Sequence, residues 1–134
     1  MRTGLKVPRG LIGTTVDRTA FDHQVHLTLN SKGDGGHGVE AELILETRFL
    51  LREASGIWHE LEPGTGVALA PVLGLFGQSV AAVEVQGLGT LTIDFQGGAG
   101  LCINPDPQFE SWHLVGTGVH AVTVGPGGEE AWEA

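Results

Sequence analysis

Two neighbouring stretches give the clearest indication of the fold: QVHLTLN at residues 24–30 and VEAELIL at residues 39–45. In both, an apolar side chain stands at every second position, and most positions between are polar or charged. Successive side chains of a strand point to opposite faces of a sheet, so this period predicts two strands with one buried face each. The glycine-rich residues 31–38 predict a hairpin connection between them.

The same period extends outward along most of the chain. It predicts further strands at residues 49–51, 57–61, 80–86, 90–95, 100–103, 112–115 and 119–124. One segment differs, because residues 67–76 are continuously apolar and contain Pro71. We predict one short helix around residues 66–76, capped by Thr65 and ended by Gly77. The expected fold class is all-β, built mainly from antiparallel meanders, with that single short helix.

The chain also shows signs of an internal repeat. LIGTTV at residues 11–16 matches LFGQSV at residues 75–80, a shift of 64 positions, and the same shift brings Leu27 onto Leu91. It likewise brings Glu46 onto Glu110 and Leu50 onto Leu114. We therefore predict one β-rich domain over residues 11–134, with repeated halves at residues 11–64 and 75–128. Residues 1–10, which hold a small basic cluster, are predicted to be a loose N-terminal segment.

Composition and charge narrow the function. The chain has 134 residues, and 16 acidic against 7 basic side chains give a net charge of −9. Such a chain is repelled by phosphates, so we expect no nucleic-acid partner and no anionic membrane surface. No apolar run is long enough to span a bilayer, and the single cysteine, Cys102, cannot form an internal disulfide. The expected location is the cytoplasm.

Six histidines raise the question of a metal. His113 and His120 fall on neighbouring predicted strands and could meet, but the sequence offers no evident third ligand. We therefore predict no metal site, and no motif indicates a cofactor. The sequence also gives no catalytic constellation: Gly77-Gln-Ser79 resembles a nucleophile elbow but lacks its final glycine.

The segment NPDPQFESWHL at residues 104–114 is the strongest candidate for a binding site. Two prolines make its turn rigid, and Asp106 between them can cap exposed backbone amides. The strand period predicts that Glu110 and Trp112 share one face, where burial beside an indole could raise the pKa of the carboxyl group. We predict a site lined by Asp106, Glu110 and Trp112, with Glu46 and Asp22 as weaker candidates. A purely structural role for these residues remains the alternative.

Three motifs together resemble a small bacterial family of unknown function. They are PDPQFESWHL at residues 105–114, PGGEEAW at residues 126–132, and GQSV at residues 77–80 after an apolar helix. The similarity covers most of the chain from about Leu11 onward. The resemblance implies a compact β-rich domain of bacterial origin and carries over no activity.

Two functional interpretations follow. The first is a non-catalytic binding or accessory protein, a partner-neutralising or regulatory domain whose acidic charge suits a basic partner. The alternative is a small enzyme or small-molecule-binding protein, with a carboxylate-containing apolar pocket between the two β halves. The partner is thus an unknown protein or small molecule, and the sequence leaves a homodimer open. A closed apolar pocket with a carboxylate favours the alternative, and a flat acidic face favours the first interpretation.

Overall fold

A computed structural model describes residues 5–32 and 38–133 as two five-stranded antiparallel sheets and one small parallel pair. The strands are β1 (Leu5–Lys6), β2 (Thr15–Phe21), β3 (Val25–Ser31), β4 (Val39–Leu45), β5 (Phe49–Arg52), β6 (Trp58–Leu61), β7 (Val80–Gln86), β8 (Thr90–Phe95), β9 (Gly100–Ile103), β10 (Trp112–Thr117), β11 (Val122–Val124) and β12 (Trp132–Glu133). The all-β prediction is confirmed. Residues 33–37 of the predicted hairpin loop lie outside the described residues, but β3 and β4 pair antiparallel as that loop requires.

The predicted helix is present, in a tighter form than expected. Gly66–Leu75 is a 3₁₀ helix with Pro71 inside it, and a short 3₁₀ turn also covers Arg9–Leu11. Thr65 does not cap the helix with its side chain; its hydroxyl donates to the carbonyl of Glu62 over 2.6 Å. Gly77 follows the helix in a left-handed conformation, with φ of 82°. No helix in the described part of the chain is long and apolar enough to cross a membrane.

The strand order shows how the two halves of the chain are joined. One sheet has the order β11-β10-β4-β3-β2 and the other has the order β6-β5-β9-β8-β7. Each sheet therefore contains a three-stranded meander from one half and a two-stranded hairpin from the other half. The chain crosses between the sheets twice, from β4 to β5 and from β9 to β10. The inner faces of both sheets contribute to one continuous hydrophobic core.

The starts of β2 and β7 are joined by reciprocal hydrogen bonds. The Gly13 amide donates to Val80 and the Val80 amide donates to Thr14, while the Gly77 amide donates to Val16 and the Val16 amide donates to Gln78. At the centre, the hydroxyls of Thr15 and Ser79 lie 3.0 Å apart. Each bond has a counterpart 64 positions away, the shift found in the sequence.

The register of the strands shows that the shift of 64 positions is not constant along the chain. Both β2 and β7 carry a bulge at corresponding positions, after Val16 and after Val80. Beyond the bulges, Thr19 pairs with Leu27 whereas Val83 pairs with Ile93, so Ile93 rather than Leu91 is the counterpart of Leu27. The reason is the position of the turn: both hairpins close over three residues, 22–24 and 87–89, but the second turn comes 65 positions after the first, so each arm of the second hairpin is one residue longer.

Residues 5–7 of the N-terminal segment pair with the C-terminal strand. Leu5–Lys6 pairs in parallel with Trp132–Glu133, and the amides of Leu5 and Val7 donate to Ala131 and Glu133 over 2.7 and 2.8 Å. Residues 1–4 of the predicted loose segment lie outside the described residues. A Lys6–Glu133 ion pair of 2.8 Å adds to this backbone contact.

Candidate functional site

A groove opens where the two crossover connections run side by side. It has a volume of about 740 Å³ and is lined by residues 46–50, 60, 62–63, 104–106 and 109. Both halves of the chain contribute to it. The groove is open to solvent rather than closed. It is also polar, because four carboxylates line it, from Glu46, Glu60, Glu62 and Asp106.

One arginine partly compensates this charge. Arg48 lies between two of the carboxylates, with its guanidinium 3.2 Å from Glu60 and 3.8 Å from Glu62. The three side chains are about 60% exposed, so these ion pairs are well solvated. Phe109, which also lines the groove, is 65% exposed. The groove thus combines a net negative charge with one accessible aromatic ring.

Asp106 holds the turn of the second crossover, as predicted. Its Oδ1 accepts the amides of Gln108 and Phe109 over 2.8 and 3.0 Å, and its Oδ2 accepts the hydroxyl of Thr47 over 3.1 Å. The backbone bond to Gln108 is the main cause that keeps the pKa of Asp106 below its usual range. The bond to Thr47 ties the two crossovers together. Asp106 therefore shapes the wall that presents Phe109.

A second group of side chains lies next to the groove, on the outer face of the sheet that contains β4 and β10. His113 stands opposite Ile44 in the register of β10 and β4. Because side chains alternate, Glu46 projects on the same face as Ile44, and its amide donates to the carbonyl of Ser111 over 2.9 Å. Glu46 Oε2 thereby contacts His113 Nε2, and Glu110 Oε1 lies 3.8 Å from the same nitrogen.

This group is oriented by two neutral side chains. Gln24 Nε2 donates to Glu46 Oε1 over 2.7 Å, and Thr123 Oγ1 lies 3.1 Å from His113 Nδ1. Burial acts to raise the pKa of Glu46, but the hydrogen bonds with His113 and Gln24 outweigh it, so the pKa lies below its usual value. Glu46 is thus ionised at neutral pH and faces an imidazole.

The structure does not place Trp112 where the sequence predicted. Trp112 is completely buried, its indole N–H donates to the carbonyl of Gly89 over 2.9 Å, and its ring stacks on Trp132 at 5.9 Å. Glu110 lies before β10 begins and is exposed. The predicted shared face of Glu110 and Trp112 was wrong, because the chain has left the strand geometry at residue 110 and the period no longer applies.

Asp22, the remaining predicted residue, belongs to a different cluster. It lies 3.2 Å from His26 Nε2, while Glu42 lies 2.5 Å from His26 Nδ1. Desolvation lowers the pKa of His26, but its hydrogen bonds with Glu42 and Asp22 raise the pKa by a larger amount. The pKa of His26 therefore lies above its usual value. The pKa of Asp22 is lowered, chiefly by the backbone amide of Gln24.

His113 is the residue whose position could not be predicted. The sequence offered His120 as its neighbour, whereas the structure brings it to two carboxylates. The relevant contact joins residues 67 positions apart, and it depends on the pairing of β10 with β4 across the two halves. A local pattern carries no signal for such a pairing.

Comparisons with known proteins place the chain in a family without assigning a function. The comparison with curated proteins and the comparison with solved structures each found no match. A family model does match residues 7–133, nearly the whole chain, and the chain therefore belongs to the family of unknown function DUF6188.

Proposed function

We propose that this protein is a non-catalytic binding module that takes a cationic segment of a partner protein in the acidic groove. The observation that carries the proposal is the lining itself, with four carboxylates, one arginine and an exposed phenylalanine around a space of about 740 Å³. Such a space accommodates a lysine or arginine side chain. Its charged end can meet a carboxylate while its stem or guanidinium lies against Phe109.

Charge favours this partner at long range as well. The net charge of −9 attracts basic segments and raises their rate of association, particularly at low ionic strength. The fixed turn at Asp106 favours binding at short range, because a wall that is already ordered loses little entropy when a partner docks. The alternative of a small enzyme or small-molecule binder called for a closed apolar pocket, and this groove is open and charged.

The experiment uses a short fluorescein-labelled arginine-rich peptide as the probe. Fluorescence anisotropy is recorded with the full chain over a series of salt concentrations, for the wild type and three variants. We expect binding that weakens as salt rises, since ionic contacts are screened. The double variant Glu60→Gln/Glu62→Gln and the variant Phe109→Ala should each bind about tenfold more weakly, a loss of about 1.4 kcal/mol.

A matched control removes the same charge elsewhere. Glu84 and Glu133 are about half exposed and pair with Arg9 and Lys6, away from the groove. The double variant Glu84→Gln/Glu133→Gln should therefore change the affinity by less than about threefold. Equal losses in both double variants, or no binding at low salt, would contradict a specific groove.

We also propose that the two halves arose by duplication of one unit. The reciprocal hydrogen bonds around Thr15 and Ser79 and the matching bulges in β2 and β7 support this origin. The matching strand order of the two sheets supports it too. A chain built from two tandem copies of residues 11–74 tests it: cooperative urea unfolding with a β-type circular dichroism spectrum is expected, and a disordered product would count against duplication.

A further inference from the structure

Three side chains beside the groove have the composition of a metal site. Glu46, Glu110 and His113 each offer one ligand atom, and these three atoms all lie within 4.8 Å of one another. An imidazole nitrogen with two carboxylate oxygens suits divalent first-row metals such as Zn²⁺. Tetrahedral zinc with bonds of about 2.1 Å needs ligand atoms roughly 3.4 Å apart. For an ion to lie between them, Glu46 Oε2 must therefore move away from His113 Nε2, which it now contacts directly, and Glu110 Oε1 must move slightly closer than its present 3.8 Å.

The neighbouring side chains provide the support that a metal site needs. When His113 Nε2 binds a metal, Nδ1 carries the proton and must donate it to an acceptor, and Thr123 Oγ1 stands 3.1 Å away. Gln24 already holds Glu46 Oε1 over 2.7 Å, which leaves Oε2 as the oxygen that faces His113, where a bound ion would replace their direct contact. Outer contacts of this kind fix the tautomer of the histidine and the orientation of the carboxylate.

We propose that Glu46, Glu110 and His113 bind one divalent transition-metal ion of the zinc class, with at least one coordination position left open. Two ionised carboxylates and a neutral imidazole balance the charge of the ion. Glu46 comes from the first crossover, Glu110 from the end of the second, and His113 from the start of β10, which follows the second crossover. The ion would thus brace the two crossovers where they run side by side.

The chain contains a natural control for this proposal. Asp22 and Glu42 also flank a histidine, but they meet opposite ring nitrogens of His26. One ion cannot reach both carboxylates and a single nitrogen there, so this cluster has the same chemical composition without the convergence. If Zn²⁺ bound nonspecifically to surface groups, substitutions of His26 and His113 would weaken binding equally. If it binds the proposed site, only substitution of His113 should weaken binding.

The test measures Zn²⁺ binding to the full chain after treatment with a chelator. Isothermal titration calorimetry should show one Zn²⁺ per chain for the wild type, and Zn²⁺ should raise the melting temperature because it binds the folded state. His113→Gln and Glu110→Gln should each weaken binding by at least about tenfold. His26→Gln should leave the affinity within about twofold of the wild type, since His26 lies outside the site.

Glu110→Gln keeps the test decisive if the His113 variant fails to fold. Glu110 is half exposed, and its contact with His113 is only a 3.8 Å ion pair, so its substitution leaves the fold intact. The proposal is overturned if the wild type neither binds Zn²⁺ nor gains thermal stability from it. Unchanged Zn²⁺ affinity in Glu110→Gln, or equal losses in the His26 and His113 variants, would overturn it as well. Peptide binding in the groove is measured without metal, so the two proposals can fail independently.

Discussion

Replacement of Trp112 by phenylalanine distinguishes a structural tryptophan from a binding one. The side chain is completely buried, and its N–H satisfies the carbonyl of Gly89, which is itself buried. Phenylalanine removes about two buried carbon atoms, worth roughly 1.6 kcal/mol of transfer free energy. It also leaves the Gly89 carbonyl without its partner, at a cost of about 1–2 kcal/mol. We therefore expect the free energy of unfolding to fall by about 3 kcal/mol.

Urea unfolding followed by circular dichroism measures this loss without relying on tryptophan emission. The midpoint should fall with little change in the slope, and the melting temperature should fall by roughly 10 °C. Trp58→Phe is the matched control, because Trp58 is 52% exposed and its ring lies 5.2 Å from the guanidinium carbon of Arg52. Its cost should stay below about 1 kcal/mol.

Equal stability of the Trp112→Phe and Trp58→Phe variants would refute a structural role for Trp112. A second outcome would restore the role that the sequence suggested for Trp112. If the folded Trp112→Phe protein lost its affinity for the arginine-rich peptide, the indole would have to contribute to binding despite its burial. We expect that affinity to stay within about twofold of the wild type, since the ring does not line the groove.

Two further predictions concern pH and backbone packing. The pKa of His26 is raised above its ordinary value of 6.5 in the folded state, so the folded state favours the protonated imidazole more than the unfolded state does. The stability that this protonated side chain adds is fully present below about pH 6.5. The difference in unfolding free energy between wild type and His26→Gln should therefore shrink as pH rises through that raised pKa, and a constant difference between pH 6 and 9 would contradict it. Gly116→Ala should lower stability by about 3 kcal/mol or more in urea unfolding, because φ is 139° and the added Cβ would lie 2.1 Å from the carbonyl oxygen of Glu40. Gly74→Ala, where an added Cβ meets nothing within 4 Å, should be nearly neutral, and similar costs for the two variants would contradict the packing argument.

The sequence predicted the strands well because burial on one face leaves a period of two. Val39–Leu45, Val80–Gln86 and Thr90–Phe95 were predicted with the bounds that the structure has. The same period failed at Glu110, two residues before β10, because the preceding turn is held by the Asp106 carboxylate, which accepts the amides of Gln108 and Phe109. Periodicity predicts side-chain faces only while the strand geometry lasts.

The candidate sites depend on contacts that no local pattern reports. The predicted cap at Asp106 formed because the backbone amides that donate to its carboxylate, those of Gln108 and Phe109, are close in sequence. The cluster at His113 needed β10 to pair with β4, and the groove needed the two crossovers to run together. Both are long-range consequences of strand order. Glu46 and Glu110 were chosen from the sequence for another reason, and the structure joins them through a histidine.

The exchange of hairpins between the sheets has a consequence for how this chain can assemble. Each sheet is completed by strands from the other half, so the fold is the single-chain equivalent of a domain-swapped dimer. A separated half would keep its meander but lack the two strands that cover the edge of β4 or β9. The unpaired backbone groups of that exposed edge could then pair with a strand of another chain. Two such fragments supply each other's missing strands. Reconstitution from fragments cut between Leu75 and Val80 is therefore built into the topology, and so is reciprocal exchange between two whole chains.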